Sequence, residues 1–257
     1  MSITAISLQS GSNGNCIFVE SNGVRLLLDA GISGSQAQKR LAQFGRDIRD
    51  VDAVLISHDH SDHVRHAGVF QRKFGLPVYM THRTMEAAGR RHPLGPMSDV
   101  RYFAPGASIQ VKDLRIESVA TPHDAVEGVA FVVDDGCRRL GVLTDLGHPF
   151  RLLHDVLRSL DAALLESNYD PHMLQEGPYP YFLKRRIAGP QGHLSNADCA
   201  SLLREAGTKL RWACLAHLSE QNNEPHLALR TNQSLAAPRF PLHVASRYAA
   251  TGLPALE

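Results

Sequence analysis

The sequence is short of several things, and each shortage closes off a class of protein. Cysteine occurs 4 times in 257 residues, at Cys16, Cys137, Cys199 and Cys214. No two of these form a C-x-x-C pair, so a thiolate zinc knuckle is not expected. Reduced thiols in a cytoplasmic protein are the reading adopted. Net charge is only +1 with histidine neutral, so no global field draws the chain to nucleic acid or membrane. Any such contact has to come from a local patch. No apolar run approaches the roughly 20 residues that span a bilayer, so no membrane contact is expected. The opening "MSITAISLQSGSNGNC" has no basic stretch followed by a long apolar core, which argues against a secretory leader. No repeat, low-complexity tract or linker interrupts the chain. Composition is otherwise ordinary, 43% hydrophobic and 21% charged, and one domain covering residues 1–257 is expected.

What the chain has in quantity is histidine, 14 in all. The densest stretch is "SHDHSDHVRH", Ser57 to His66. It follows "VDAVLIS" (51–57), which has the length and β-branching of a buried strand. His58 and His60 stand two apart, so an extended backbone points both the same way. Asp62 and His63 then turn into a helix and face a second point nearby. Three imidazoles and a carboxylate so close together repel or strand one another unless something pairs them. Nitrogen and carboxylate donors suit zinc, manganese, iron or nickel, and two such pairs begin a two-metal site.

Elsewhere short strand-like and helical runs alternate. Strands are expected at 3–9, 15–20, 24–30, 108–111, 114–119, 129–133, 139–144, 162–166, 211–216 and 242–245. Helices are expected at 35–44, 63–74, 82–90, 149–159, 195–206 and 223–235. Ser195 with Asp198 three residues on resembles a capping box. Strands in two batches, each closed by helices, fit an α+β fold: a four-layer αββα sandwich. Periodicity alone does not separate that from a doubly wound sheet. The tail after Pro238 carries no motif.

The H-x-H-x-D-H run after a strand, with "LLLDAG" (Leu26 to Gly31) upstream, resembles the metallo-β-lactamase superfamily. "TPHDA", "VLTDLG" and "CLAHLS" supply His123, Asp145 and His217, each after an apolar run, in the order that family requires. The resemblance implies that His58, His60 and His123 hold one metal, and Asp62, His63 and His217 another, with Asp145 bridging. A metal-bridging hydroxide is then the nucleophile, and two divalent ions, zinc foremost, are the cofactors. Asp29 is read either as the residue that orients a ligand or as a plain turn aspartate. An aspartate rather than a cysteine at 145 argues against antibiotic hydrolysis.

Three further segments sharpen the resemblance: "SGSNGNC" (10–16), "FLKRRIAGPQGHLSN" (182–196) and "AHLSEQNNEP" (216–225). Together they look like the YycJ (WalJ) group, metal-dependent 5′→3′ exonucleases linked to DNA mismatch repair. They are also similar to phosphodiesterases of small cyclic phosphates. The implied partner is DNA. A phosphodiester needs cations on its non-bridging oxygens and a proton for its leaving oxygen. Lys184, Arg185 and Arg186 form the densest basic cluster and are assigned to the phosphate; a solvated helix face is the ordinary alternative. The catalytic assignments are Asp62, within the metal cluster, and His193, which contacts the phosphate or protonates the leaving group. Beside His193, a helix N-terminus offers a backbone N–H to a phosphate oxygen. Asp124, His148 and His66 rank below these. Larger nucleases of the superfamily insert a long domain before the last histidine. Here the stretch is modest, so a duplex end binds the bare face, a homodimer supplies a groove, or the substrate is small. A thioester or lactone hydrolase on the same metals, and a non-catalytic metal-dependent regulator, are the competing readings.

Overall fold

The computed structural model describes residues 2–257. Two seven-stranded sheets face each other. The first begins as a meander of β1 (Thr4–Gln9), β2 (Cys16–Ser21) and β3 (Val24–Leu28). It continues in parallel through β4 (Ala53–Leu55), β5 (Val78–Met80) and β6 (Val100–Tyr102). The second runs antiparallel through β7 (Ser108–Val111), β8 (Leu114–Ala120), β9 (Val129–Asp134) and β10 (Arg139–Leu143). It then continues in parallel through β11 (Ala162–Glu166), β12 (Trp212–Ala216) and β13 (Leu242–Val244).

Side-chain alternation builds the layers. Leu26 and Leu28 enter the core between the sheets with Leu55, Phe131 and Leu164. Leu27, one residue out of phase, faces the other way, into a layer with Leu41 and Phe70. These two come from α1 (Gly34–Ala42) and α3 (Ala67–Phe74), which cover the first sheet with α4 (His82–Arg91). Ala163 and Leu165 likewise face α5 (Arg151–Ser159), α8 (Asn196–Ala206) and α9 (Pro225–Ala236). A period of two in strands buried on both faces gives four layers, αββα, as the sequence pattern predicts. The Ser195–Asp198 capping box opens α8 as expected.

Several elements depart from the sequence reading. The helix expected at 63–74 is two, α2 (Ser61–Val64) and α3. The backbone of Ala30 intrudes: its N–H donates to His63 O at 2.7 Å, and its carbonyl accepts from His66 N at 3.0 Å. The α-helical ladder is diverted at that point. Strands β5 and β6 have three residues each and show no period of their own. The tail after Pro238 is structural. It supplies β13, the strand expected at 242–245, and also β14 (Thr251–Gly252), which the sequence reading lacks and which pairs with β1. Among the described residues no helix is long and apolar enough to cross a membrane.

Candidate metal centre

Chemistry-bearing side chains gather where strands of both sheets end. Asp29 follows β3, His58 follows β4, His123 follows β8, Asp145 follows β10, Glu166 closes β11 and His217 follows β12. In α/β sheets this carboxyl edge is where ligands bind. Three of the six turn their backbone into the left-handed region: Asp29 at φ 67°, Asp145 at φ 57° and His217 at φ 56°. Aspartate and histidine tolerate that conformation better than most residues, and non-glycine residues held there concentrate at functional sites.

The seven histidines and aspartates expected as metal ligands lie together. Donor atoms of His58, His60 and His123 converge within 4.8 Å of one another, as do those of Asp62, His63 and His217. Asp145 stands between the groups. Its carboxylate is 3.3 Å from His63 Nε2, 3.5 Å from His123 Nε2 and 3.7 Å from His217 Nδ1.

Partners behind the rings fix their orientation. His63 Nδ1 donates to Asp29 Oδ2 at 2.7 Å, and Asp29 also accepts from Ser57 N at 2.8 Å. The turn aspartate of the sequence thus holds the ring whose other nitrogen faces Asp145. His123 Nδ1 donates to Gly192 O at 2.8 Å. Asn168 Nδ2 reaches His217 O at 2.7 Å, and His217 N donates to Ser10 Oγ at 2.8 Å. The loop "SGSNGN" therefore braces the site, and its Asn15 lies 3.0 Å from His63 Nε2. The carboxylate of Asp59 is buried, accepting from Val126 N at 3.0 Å and pairing with Arg91. That ties the His58–His60 loop to α4 and to the loop after His123.

These residues fit divalent cations. His58 Nε2 and Asp145 Oδ2 are buried without a hydrogen-bond partner, a costly state for such groups unless a cation completes it. Electrostatics say the same. Burial pushes His58 below its ordinary value, and the neighbouring imidazole of His63 adds to that. Burial would also depress His217, but Asp145, Asp62 and Glu166 outweigh it and raise that ring to about 10. His63 is raised well above its ordinary value in the same way, chiefly by Asp145 and Asp29 acting against burial. Protons here stand in for cations among buried carboxylates. The donor set is nitrogen and oxygen throughout, since Cys16, Cys199 and Cys214 are buried in the layers of the core.

His193 joins the cluster. Its Nδ1 donates to Glu166 Oε1 at 2.7 Å, and its ring centroid is 4.9 Å from that of His123. Glu166 is missing from the sequence reading, although it is fully buried at the heart of the site. Burial would raise its carboxyl, but His193 and His217 hold it down at about 2. It also accepts from Leu146 N at 2.9 Å. The one signal that reveals it is position, the last residue of an apolar strand like the other site residues.

The basic cluster lies on α7 (Tyr181–Ile187), behind a short α6 (Pro171–Glu176). Arg186 Nε donates to Asp124 Oδ2 at 2.5 Å, and Asp124 Oδ1 is 3.4 Å from His123 Nε2 and 3.6 Å from His60 Nε2. Arg186 is thus one carboxylate away from the histidines. Lys184 Nζ donates to Gln175 O at 2.5 Å, further out. Arg185 lies over the Tyr181 ring at 5.8 Å.

At the helix N-terminus beside His193 several backbone N–H groups already have partners within the fold. Leu194 N donates to Glu166 at 3.3 Å, Ser195 N to Asp198 at 3.1 Å and Asn196 N to Tyr169 O at 2.8 Å. His66 heads α3 with no side-chain capping bond. His148 Nδ1 bonds Pro190 O at 2.7 Å and stays outside the cluster.

Comparison with known proteins agrees with this geometry. Residues 10–150 match the model of the metallo-beta-lactamase superfamily. The exodeoxyribonuclease WalJ of Streptococcus pneumoniae serotype 2 is 37% identical over 229 residues, 87% of this chain and 84% of that protein. The exodeoxyribonuclease YycJ of Bacillus anthracis is 36% identical over 224 residues, 86% of this chain and 84% of that one. The metallo-beta-lactamase fold protein YhfI from Bacillus subtilis superposes with a TM-score of 0.76, covering 98% of this chain and 100% of its own, at 16% identity. The chain belongs to the metallo-β-lactamase superfamily, in the family that holds the WalJ and YycJ exodeoxyribonucleases.

Proposed function

We propose that the protein is a dinuclear metal-dependent exonuclease that hydrolyses phosphodiester bonds of DNA in the 5′→3′ direction. The observation that carries this is a cluster of seven histidines and aspartates with a His193–Glu166 pair at its edge and Arg186 one carboxylate away. The similarity to two exodeoxyribonucleases over most of each chain supports the choice of substrate.

His58, His60 and His123 would hold one divalent ion, zinc foremost with manganese, iron or nickel as alternatives, and Asp62, His63 and His217 the other, with Asp145 shared. When bound, the ions supply Lewis acidity to the phosphate and a nucleophile derived from water. The remaining work falls to the chain. Asp29 and Gly192 O keep His63 and His123 turned inward. Glu166 occupies His193 Nδ1, so Nε2 is the nitrogen that can give a proton to the leaving oxygen. Arg186 offers a fork to a non-bridging oxygen once a phosphate competes with Asp124 for it. Asp124, ranked low on sequence grounds, gates that arginine. A thioester or lactone needs no such cations, which is why the phosphodiester is favoured. A cytoplasmic protein of one domain accords with all of this.

The test is incubation of metal-loaded protein with 5′-phosphorylated duplex, single-stranded DNA and bis(p-nitrophenyl) phosphate. Release of nucleotides is expected, with affinity falling steeply as salt rises. If none of the three is cleaved with zinc, manganese or nickel, the proposal fails. Turnover of thioesters that is indifferent to Lys184→Ala with Arg185→Ala would favour the competing hydrolase. Sedimentation in the same buffer decides whether a homodimer forms.

A further inference from the structure

The groove between α6 and α7 has no part in the mechanism above. It is a depression of about 540 Å³ lined by Tyr169, Pro171, Leu174, Tyr181, Lys184 and Arg185. Its lining is mostly apolar, with Gln175 and the two cations as its polar side chains apart from the tyrosine hydroxyls. Tyr181 and Phe182 head α7 and are 75% and 72% exposed, more than any other large apolar side chains among the described residues. Adjacent exposed aromatics cost solubility and require a reason. Arg185 is stacked over Tyr181 and has no carboxylate partner among the described residues.

The groove connects to the metal centre through cations. Arg185 also lines a shallow shelf of about 180 Å³ with Arg186, Asp124 and Gly189. Asp124 in turn touches His60 and His123. The path therefore runs from histidine cluster to Asp124, Arg186, Arg185 and the tyrosine. Helix α7 has seven residues and spans about 10 Å at 1.5 Å per residue. Its two ends are held differently. The Tyr181 side chain is largely exposed, while the far end and the loop after it are pinned by His193 N donating to Ile187 O at 2.9 Å and Asp124 N donating to Gln191 O at 3.0 Å.

We infer that the α6–α7 groove is a base-stacking subsite for unpaired nucleotides, with Tyr181 as the platform and Arg185 and Lys184 on the backbone phosphates. The inference rests on the nuclease reading and deepens it: the strand enters the site single-stranded. Aromatic and cationic groups side by side, here Tyr181 and Phe182 one turn before Lys184 and Arg185, are how sequence-tolerant single-strand sites are built, since every base has a face to stack and every linkage a charge. A duplex end presents its bases already stacked on each other and gains nothing from an aromatic groove. Phe182 extends the same face.

The probe is a 5′-phosphorylated octathymidylate with phosphorothioate linkages and a 3′ fluorescein, bound to metal-loaded protein and read by anisotropy. Tyr181→Ala is expected to weaken binding about tenfold or more, the scale of one lost base stack, while Tyr181→Phe stays within twofold of the parent. A blunt duplex is expected to lose less. Independently of any variant, 2-aminopurine placed two or three nucleotides from the 5′ end should be quenched on binding the parent. Tyr181→Ala binding within twofold of the parent, or an unquenched 2-aminopurine, overturns the inference while leaving the nuclease reading intact. So does a dimer that Tyr181→Ala with Phe182→Ala dissociates, because the face is then a protein interface. A parent that neither binds nor cleaves oligonucleotides overturns both.

Discussion

Glu166 Oε1 accepts a hydrogen bond from His193 Nδ1 at 2.7 Å, and the carboxylate is completely buried at the end of β11. The pairing fixes which ring nitrogen is available to substrate. If His193 is the proton donor, its importance depends on how much the leaving oxygen needs a proton. His193→Ala should lower kcat on DNA by roughly 10²–10⁴-fold, and Glu166→Gln by less. The same variants should lose far less on bis(p-nitrophenyl) phosphate, whose leaving group departs readily as an anion. Equal losses on both substrates would assign His193 to binding instead.

Asp29 tests the orienting shell. It holds His63 Nδ1 at 2.7 Å and Ser57 N at 2.8 Å, so its removal frees the ring without deleting a donor atom facing the cluster. Asp29→Ala is expected to weaken metal binding by about 10–100-fold. Competition with a chromophoric chelator measures this. Parent-like affinity would show that packing alone orients His63.

The sequence exposed the cluster but not the shell around it, and the reason is physical. His58, His60, Asp62 and His63 are close in the chain, and too many ionisable groups in one loop demand a common partner. His123, Asp145 and His217 follow recognisable strands. Glu166 lies inside the apolar run of β11 and reads as strand until the neighbouring strand ends are laid beside it. Asn15 and Asn168 reach the site from loops distant in the chain, and the partners of Asp59, Val126 and Arg91, are themselves distant, which no local pattern encodes. The four layers were legible because the strands come in two batches, each closed by helices, although periodicity alone does not separate that from a doubly wound sheet. The break between α2 and α3 was not, because Ala30, from another part of the chain, causes it. Asp124 was ranked low because the arginine that pairs with it lies 62 residues on.

Metal loading should release protons. In the metal-free chain His217 is raised to about 10 and His63 well above its ordinary value, both by surrounding carboxylates. A raised value means the proton stays on through neutral pH and leaves only as pH climbs towards the raised value. A cation binding the same nitrogen must displace it. Apparent metal affinity should therefore rise between pH 6 and pH 8, with net proton release at pH 8. Calorimetry in buffers of different ionisation enthalpy reads the release directly. A heat independent of buffer would show that these rings are already neutral, and the charge balance drawn here would be wrong.

Gly31 tests whether backbone approach, rather than side chains, sets the cluster. A Cβ there would fall 1.6 Å from Asp62 O and 2.6 Å from Asn15 N. Both are main-chain atoms, so neither can swing aside. The same strand of backbone is bonded on each side, with Asn15 N donating to Asp62 O at 2.7 Å and Gly31 N donating to Asn15 O at 2.9 Å. Adding one methyl must push the Asp62–His63 turn away from the "SGSNGN" loop. Overpacking of this kind costs about 1–3 kcal/mol, and a chain of this size loses about 2–4 °C of Tm per kcal/mol. Gly31→Ala should thus melt several degrees lower and also bind less metal, since Asp62 and His63 move with the turn. Gly45→Ala is the contrasting control: its φ is positive, at 67°, unlike that of Gly31, but its Cβ would meet nothing within 4 Å. It should lose about 1 kcal/mol of stability to backbone strain alone and keep its metal affinity. Equal metal affinity in both variants would mean that the two loops tolerate separation, and the close approach at Gly31 would then be incidental to the site.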